Sequence, residues 1–126
     1  MRVVLSVEAL DPQLTGVGRY VWELVQRLPA IDGIESLRFE RNGRWIDQPA
    51  RLLEDPLYPR YPKPVRWLRR RTTPLRRWHD ASVLRKAVCH GPNFFLPEVA
   101  ESGIVTIHDL SVFRYPETHP AERLAI

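Results

Sequence analysis

The sequence is poor in the residues that staple small folds or hold metals. Its 126 residues include one cysteine, Cys89. A single thiol excludes an internal disulfide framework and a cysteine metal cluster. Cys89 lies in an apolar stretch, which reads as a buried, inert thiol. The four histidines, His79, His90, His108 and His119, are scattered, with no H-x-x-H or H-E-x-x-H spacing. That pattern argues against zinc, and no metal cofactor is expected. There is no G-x-S-x-G elbow for a hydrolase nucleophile. No helix-turn-helix, zinc-finger or RNA-binding aromatic motif occurs, and no internal repeat. No apolar run approaches the ~20 residues of a membrane span. After Met1-Arg2 only three strictly apolar residues precede Ser6, too few for the core of a secretory signal. A cytoplasmic location is the resulting expectation.

What is present fits one globular domain. The chain is 44% hydrophobic and 27% charged, and long enough to bury a core. Its formal charge is +4, unevenly placed. Between Lys63 and Lys86 nine basic residues meet one acid, Asp80, so this segment carries +8 and the remainder is acidic. Local basic patches favour phosphates, anionic lipid or nucleic acid.

Val3–Val7 is short, apolar and β-branched, as a buried parallel strand is. A loop follows, with Asp11-Pro12 as its turn signal. Thr15 is placed to cap a helix, and Val17, Tyr20, Val21, Leu24, Val25 and Leu28 share one helical face. Pro29 stops it. A second strand is expected over Ile34–Phe39. Asn42-Gly43 signals a type I′ hairpin pairing Phe39 with Ile46 and Arg41 with Arg44. The first pair is favourable and the second mildly unfavourable. Pro49, Pro56, Pro59, Pro62 and Pro64 rule out a long helix or central strand in the next stretch, which reads as a surface loop. Short helices are expected over Val65–Arg71 and Leu75–Lys86, strands over Ala87–His90 and Ile104–Ile107, and a helix start at Pro120–Ile126. That last apolar pattern has no terminating Gly, Pro or basic turn, so the chain reads as a fragment or a truncated frame.

Two landmarks follow strands. One is Leu14-Thr15-Gly16-Val17-Gly18-Arg19-Tyr20; the other is Val105-Thr106-Ile107-His108-Asp109-Leu110. Ligands of open α/β sheets bind outside the carboxyl ends of the strands. Gly16 and Gly18 do not complete a dinucleotide fingerprint, since position 21 is valine. They allow either close approach of a ligand or simply a tight strand-to-helix turn. Arg19 is able to pair with a phosphate or to remain a solvated surface residue. Histidine is the side-chain type whose charge changes nearest neutral pH, and His108 is a cleft group or a strand-end histidine capped by backbone. Asp109 alternates to the other face of a strand, so the two need not touch. His90 and Asn93, in His90-Gly91-Pro92-Asn93, line a cleft or build a structural turn.

These segments, with His90-Gly91-Pro92-Asn93-Phe94 and Arg114-Tyr115-Pro116-Glu117, resemble the N-terminal half of a family 4 glycosyltransferase. That family is retaining, has the two-domain GT-B fold, and includes bacterial mannosyltransferases of surface-polysaccharide assembly. The resemblance implies an α/β, Rossmann-like parallel sheet over residues 1–126, incomplete at its C-terminal end and lacking the donor-binding domain. It implies that the glycine loop lies near donor phosphates and acceptor, and that His108 contacts the transferred sugar and steadies charge as the leaving group departs. Asp109 would contact the acceptor hydroxyl. GT-B enzymes generally need no metal. The implied reaction moves a sugar, mannose in the family's mannosyltransferases, from a nucleotide sugar to a glycan or lipid-linked acceptor, and the isolated chain is expected to be inactive.

The basic segment supports a rival reading. Arg66, Trp67, Arg69, Arg70, Arg71, Arg76 and Arg77 mix cations with indole, as surfaces facing anionic membranes do. They would dock a membrane or a partner, bind nucleic acid, or form a plain solvated helix.

Overall fold

The computed structural model describes residues 1–55, 57–58, 73–94, 96–97 and 99–118, with backbone alone at 73–78, 112, 113 and 116. Its frame is a five-stranded sheet in the order β3-β2-β1-β4-β5. The strands are β1 (Arg2–Ser6), β2 (Ser36–Arg41), β3 (Arg44–Ile46), β4 (Val88–Gly91) and β5 (Ser102–Val105). All neighbours run parallel except the β2–β3 hairpin. This is the α/β, Rossmann-like arrangement. Chain order reverses between β1 and β4, which makes their carboxyl ends the topological switch point.

The central position of β1 explains its composition. Val3, Val4 and Leu5 are all buried, as a strand covered on both faces requires. Leu5 and Val7 face helix α1 (Gly16–Arg27) and pack with Leu10, Val21, Val25, Ile46 and Leu52. Val4 faces the other way and meets Leu84 of helix α2 (Thr73–Arg85), with Ala87 and Cys89. Among the described residues, one helix thus covers each face. Cys89 is buried, its Sγ–H donates to the Leu84 carbonyl at 3.5 Å, and burial pushes its thiol pKa up.

Local chemistry sets the ends of α1. Thr15 is its N-cap, with Oγ1 accepting from the Gly18 amide at 3.2 Å. The helix stops at Arg27, before Pro29, and a short 3₁₀ turn follows over Leu28–Ala30. The hairpin forms as the sequence dictates. Asn42 (φ 49) and Gly43 (φ 69) both take positive φ, the signature of a type I′ turn. Phe39 pairs with Ile46 and Arg41 with Arg44. The Arg41–Arg44 repulsion is relieved from outside the pair, because Arg41 Nη2 donates to Asp11 at 3.0 Å. On the opposite face Trp45 Nε1 donates to Asp80 at 2.6 Å and ties the hairpin to α2. Arg38 lies over the Trp45 ring at 4.1 Å.

Several elements differ from expectation, and β2 is among them, running over Ser36–Arg41 rather than Ile34–Phe39. β5 starts two residues earlier than the apolar run Ile104–Ile107, because the parallel register pairs Val88–Gly91 with Ser102–Val105. A Cβ on Gly103 would lie 2.5 Å from Leu96 Cδ1, so a larger residue there would displace that side chain. A second 3₁₀ turn, Pro49–Leu53, forms in the proline-rich stretch and buries Leu52 in the α1-side core. The helices expected over 65–71 and 120–126 lie outside the described residues. After β5 come a short helix α3 (Ser111–Arg114) and a 3₁₀ turn (Pro116–Thr118). Among the described residues, no helix is long and apolar enough to cross a membrane.

Candidate functional site

The segments after β4 and β5 are stitched together at the carboxyl edge of the sheet. The Thr106 amide donates to the Gly91 carbonyl at 2.9 Å, and the Phe94 amide to the Thr106 carbonyl at 3.4 Å. Phe94 holds φ at 66, a left-handed conformation that side chains rarely adopt. Such strain persists only where the surroundings fix it. This turn carries His90-Gly91-Pro92-Asn93 into place.

His108 sits beyond the end of β5 and is exposed. Its Nε2 lies 2.7 Å from the Pro92 carbonyl oxygen. A carbonyl only accepts, so Nε2 carries the proton and donates. Nδ1 has no partner among the described residues. It accepts from a hydroxyl when the ring is neutral, and donates, for instance to a phosphate oxygen, when the ring is charged. The backbone cap and the exposed nitrogen therefore coexist on one imidazole.

Three further groups gather beside it. Tyr20 of α1 meets the His108 ring edge to face, with centroids 5.2 Å apart and planes at 86°. The Tyr20 hydroxyl shares a hydrogen bond with Thr106 Oγ1 at 3.2 Å, and Thr106 Oγ1 shares another with His90 Nε2 at 3.1 Å. Burial pushes the His90 pKa down, which favours a neutral ring with one donor and one acceptor nitrogen. Thus α1, β4 and the segment after β5 each supply a member of one polar group.

The other candidates divide. Gly16 and Gly18 form the first turn of α1 rather than a loop, and neither has positive φ. A Cβ on Gly18 would meet the Ala9 carbonyl oxygen at 2.8 Å and Leu14 Cδ2 at 3.1 Å, so close packing explains that glycine. Around Gly16 nothing lies within 4 Å of such a Cβ. Arg19 is exposed and has no ion-pair partner among the described residues. Asn93 is exposed and lines a small hollow with Ser6, Glu8, Ala9, Gly91 and Pro92 at the switch point. Asp109 accepts from the amide of Ser111 at 2.8 Å and from its hydroxyl, an Asx turn that opens α3. Of the basic segment, Arg66, Trp67, Arg69, Arg70 and Arg71 lie outside the described residues, as do the side chains of Arg76 and Arg77.

The sequence reading missed Tyr20 and Thr106 as site residues. Tyr20 falls on the apolar stripe of α1 and reads as core. Thr106 stands two residues before His108, which places both on one face of an extended chain. Another hollow, of about 310 Å³, lies on the same edge, between the hairpin and α2. It is lined by Glu8, Glu40, Trp45, Asp80 and Leu96 among others. Burial raises the Glu40 pKa there, offset by the Gly43 amide and reinforced by the Glu8 charge. Among the described residues no cluster of three or more His, Cys, Asp or Glu could hold a metal ion.

The sequence is similar to the O-antigen chain mannosyltransferase B of Escherichia coli, with 32% identity over 135 aligned residues. The match takes in 98% of this chain and 35% of that enzyme. The chain is related to part of a mannosyltransferase. It spans about a third of the length of that relative. No family model matches the sequence, and no solved structure does.

Proposed function

We propose that residues 1–126 are the acceptor-side, Rossmann-like domain of a retaining GT-B glycosyltransferase. The enzyme moves mannose from a nucleotide sugar to a glycan or lipid-linked acceptor. The observation that carries this reading is the gathering of Tyr20, His90, Thr106 and His108 at the carboxyl edge, in a chain related to a mannosyltransferase. In this reading His108 Nδ1 hydrogen-bonds the transferred sugar, and its charged form steadies the departing phosphate. Arg19, at the amide end of α1, meets donor phosphates, where the helix dipole also favours negative charge. Asn93 and His90 line the acceptor side, and Gly16 leaves room for it. Asp109 contacts the acceptor hydroxyl, and its bonds to Ser111 open α3 beside it. No metal is required.

Transfer is proposed to need protein beyond these residues, in keeping with the share of the relative that they span. Among the described residues no strand pairs the outer side of β5, and Ile104, Val105, Ile107 and Leu110 are exposed, in keeping with this proposal.

A calorimetric titration tests the reading. A mannose-terminated oligosaccharide should bind the purified chain, and Asn93→Ala should weaken it about tenfold, the worth of one hydrogen bond of ~1.4 kcal/mol. Absence of binding to both the oligosaccharide and a nucleoside-diphosphate mannose would refute it.

A further inference from the structure

The hydrogen bond to Pro92 fixes one atom of the His108 ring but not its plane. An imidazole held only through Nε2 can swing about that bond, and Nδ1 then sweeps an arc. Tyr20 removes this freedom. Its ring stands at 86° to the imidazole with centroids 5.2 Å apart, within the range where edge-to-face pairs are favourable. Tyr20 is in turn held at both ends. Its backbone is the fifth residue of the capped helix α1, and its hydroxyl is tied to Thr106 Oγ1 at 3.2 Å. Thr106 is itself clamped, by its amide on Gly91 and by its hydroxyl on His90.

We propose that Tyr20 is the positioning residue of His108: its ring sets the imidazole plane, and its hydroxyl anchors that ring through Thr106 to His90. The arrangement presents Nδ1 in one direction and joins the helix that bears Arg19 to the turn that bears His108. This deepens the glycosyltransferase reading, on which its purpose rests, but the geometry is testable without any sugar. Tyr20 touches no reacting atom in this scheme, and its task is to orient a residue that does.

The test is nuclear magnetic resonance of the purified chain with ¹⁵N-labelled histidine. Long-range spectra report the tautomer of each ring and its proton shifts. In the parent chain His108 should show a single Nε2–H tautomer. Tyr20→Phe keeps the ring and loses the hydroxyl, so His90 signals should move while the His108 tautomer stays. Tyr20→Leu loses the ring but leaves the Pro92 carbonyl, so the Nε2–H tautomer should stay while the His108 imidazole gains motion about that bond, read as altered relaxation of its ring nitrogens and shifted ring protons. Dispersed amide spectra check that each variant is folded. Native His108 signals in folded Tyr20→Leu would overturn the proposal. Unchanged His90 signals in Tyr20→Phe would overturn the anchoring half, and that variant stands as the test if Tyr20→Leu does not fold. If these spectra behave as expected while no mannosyl ligand binds, the functional reading fails and the positioning stands.

Discussion

Replacing Gly18 with alanine tests whether packing, rather than ligand access, explains the second glycine of α1. The new Cβ would lie 2.8 Å from the Ala9 carbonyl oxygen and 3.1 Å from Leu14 Cδ2. The first obstacle is backbone and cannot rotate away. Overpacking of this kind costs about 1–3 kcal/mol, and a backbone obstacle belongs in the upper half of that range. Alanine returns at most about 1 kcal/mol of helix propensity. The net loss is therefore about 1–2 kcal/mol, or roughly 3–8 °C in melting temperature for a domain of this size. Gly16→Ala is the matched control, since nothing stands within 4 Å of its Cβ. It should melt at or slightly above the parent temperature. Thermal unfolding followed by circular dichroism reads both. A Gly18→Ala chain as stable as Gly16→Ala would refute the packing argument. Any loss of glycan binding in Gly16→Ala would then report the ligand directly, because stability is unchanged.

Gly43 stands at φ 69 with open space around it, so Gly43→Ala should cost about 1–2 kcal/mol through backbone conformation alone; urea titration checks this, and an unchanged midpoint would contradict the type I′ assignment. His90 has its pKa lowered by burial from an ordinary 6.5. The unfolded chain then binds the proton first as pH falls, so stability is full above 6.5 and declines as pH drops from there toward the folded-state value. His90→Gln should flatten that slope, measured as melting temperature against pH; an unaltered slope would assign it to other groups. The basic segment is expected to bring the chain down with anionic liposomes, less so in high salt. Changing Arg69, Arg70 and Arg71 together to Gln should abolish that; sedimentation insensitive to the change would remove the membrane reading.

Much of the frame is legible in the sequence because single residues dictate it. Asn42-Gly43 admits few conformations other than a type I′ turn, and the register of β2 and β3 follows from it. Thr15 and Pro29 bracket α1, and the apolar run at Val3–Leu5 has no stable place except the centre of a parallel sheet. Local propensity fails where tertiary pairing decides. Ser102 and Gly103 are poor strand formers, yet they pair with Val88 and Cys89 because β4 sets the register and Gly103 lets Leu96 approach. The site is legible in part. His90 and His108 are visible as polar residues at strand ends. Tyr20 is hidden by its apolar body, since helical spacing reports where a side chain lies and not what its polar tip meets. The bond of Asp109 to the Ser111 amide is a local turn contact that spacing along the chain does not announce.

The central claim is that a glycan binds at the carboxyl edge of β1, β4 and β5. Amide and histidine-ring shift mapping during titration with a mannose-terminated oligosaccharide tests it most directly. The account predicts shifts confined to Gly16–Tyr20, His90–Phe94 and Thr106–Asp109. Shifts at the opposite edge, around Arg2, Arg38 and Lys86, where a second hollow of about 280 Å³ lies, would contradict it, as would none at all.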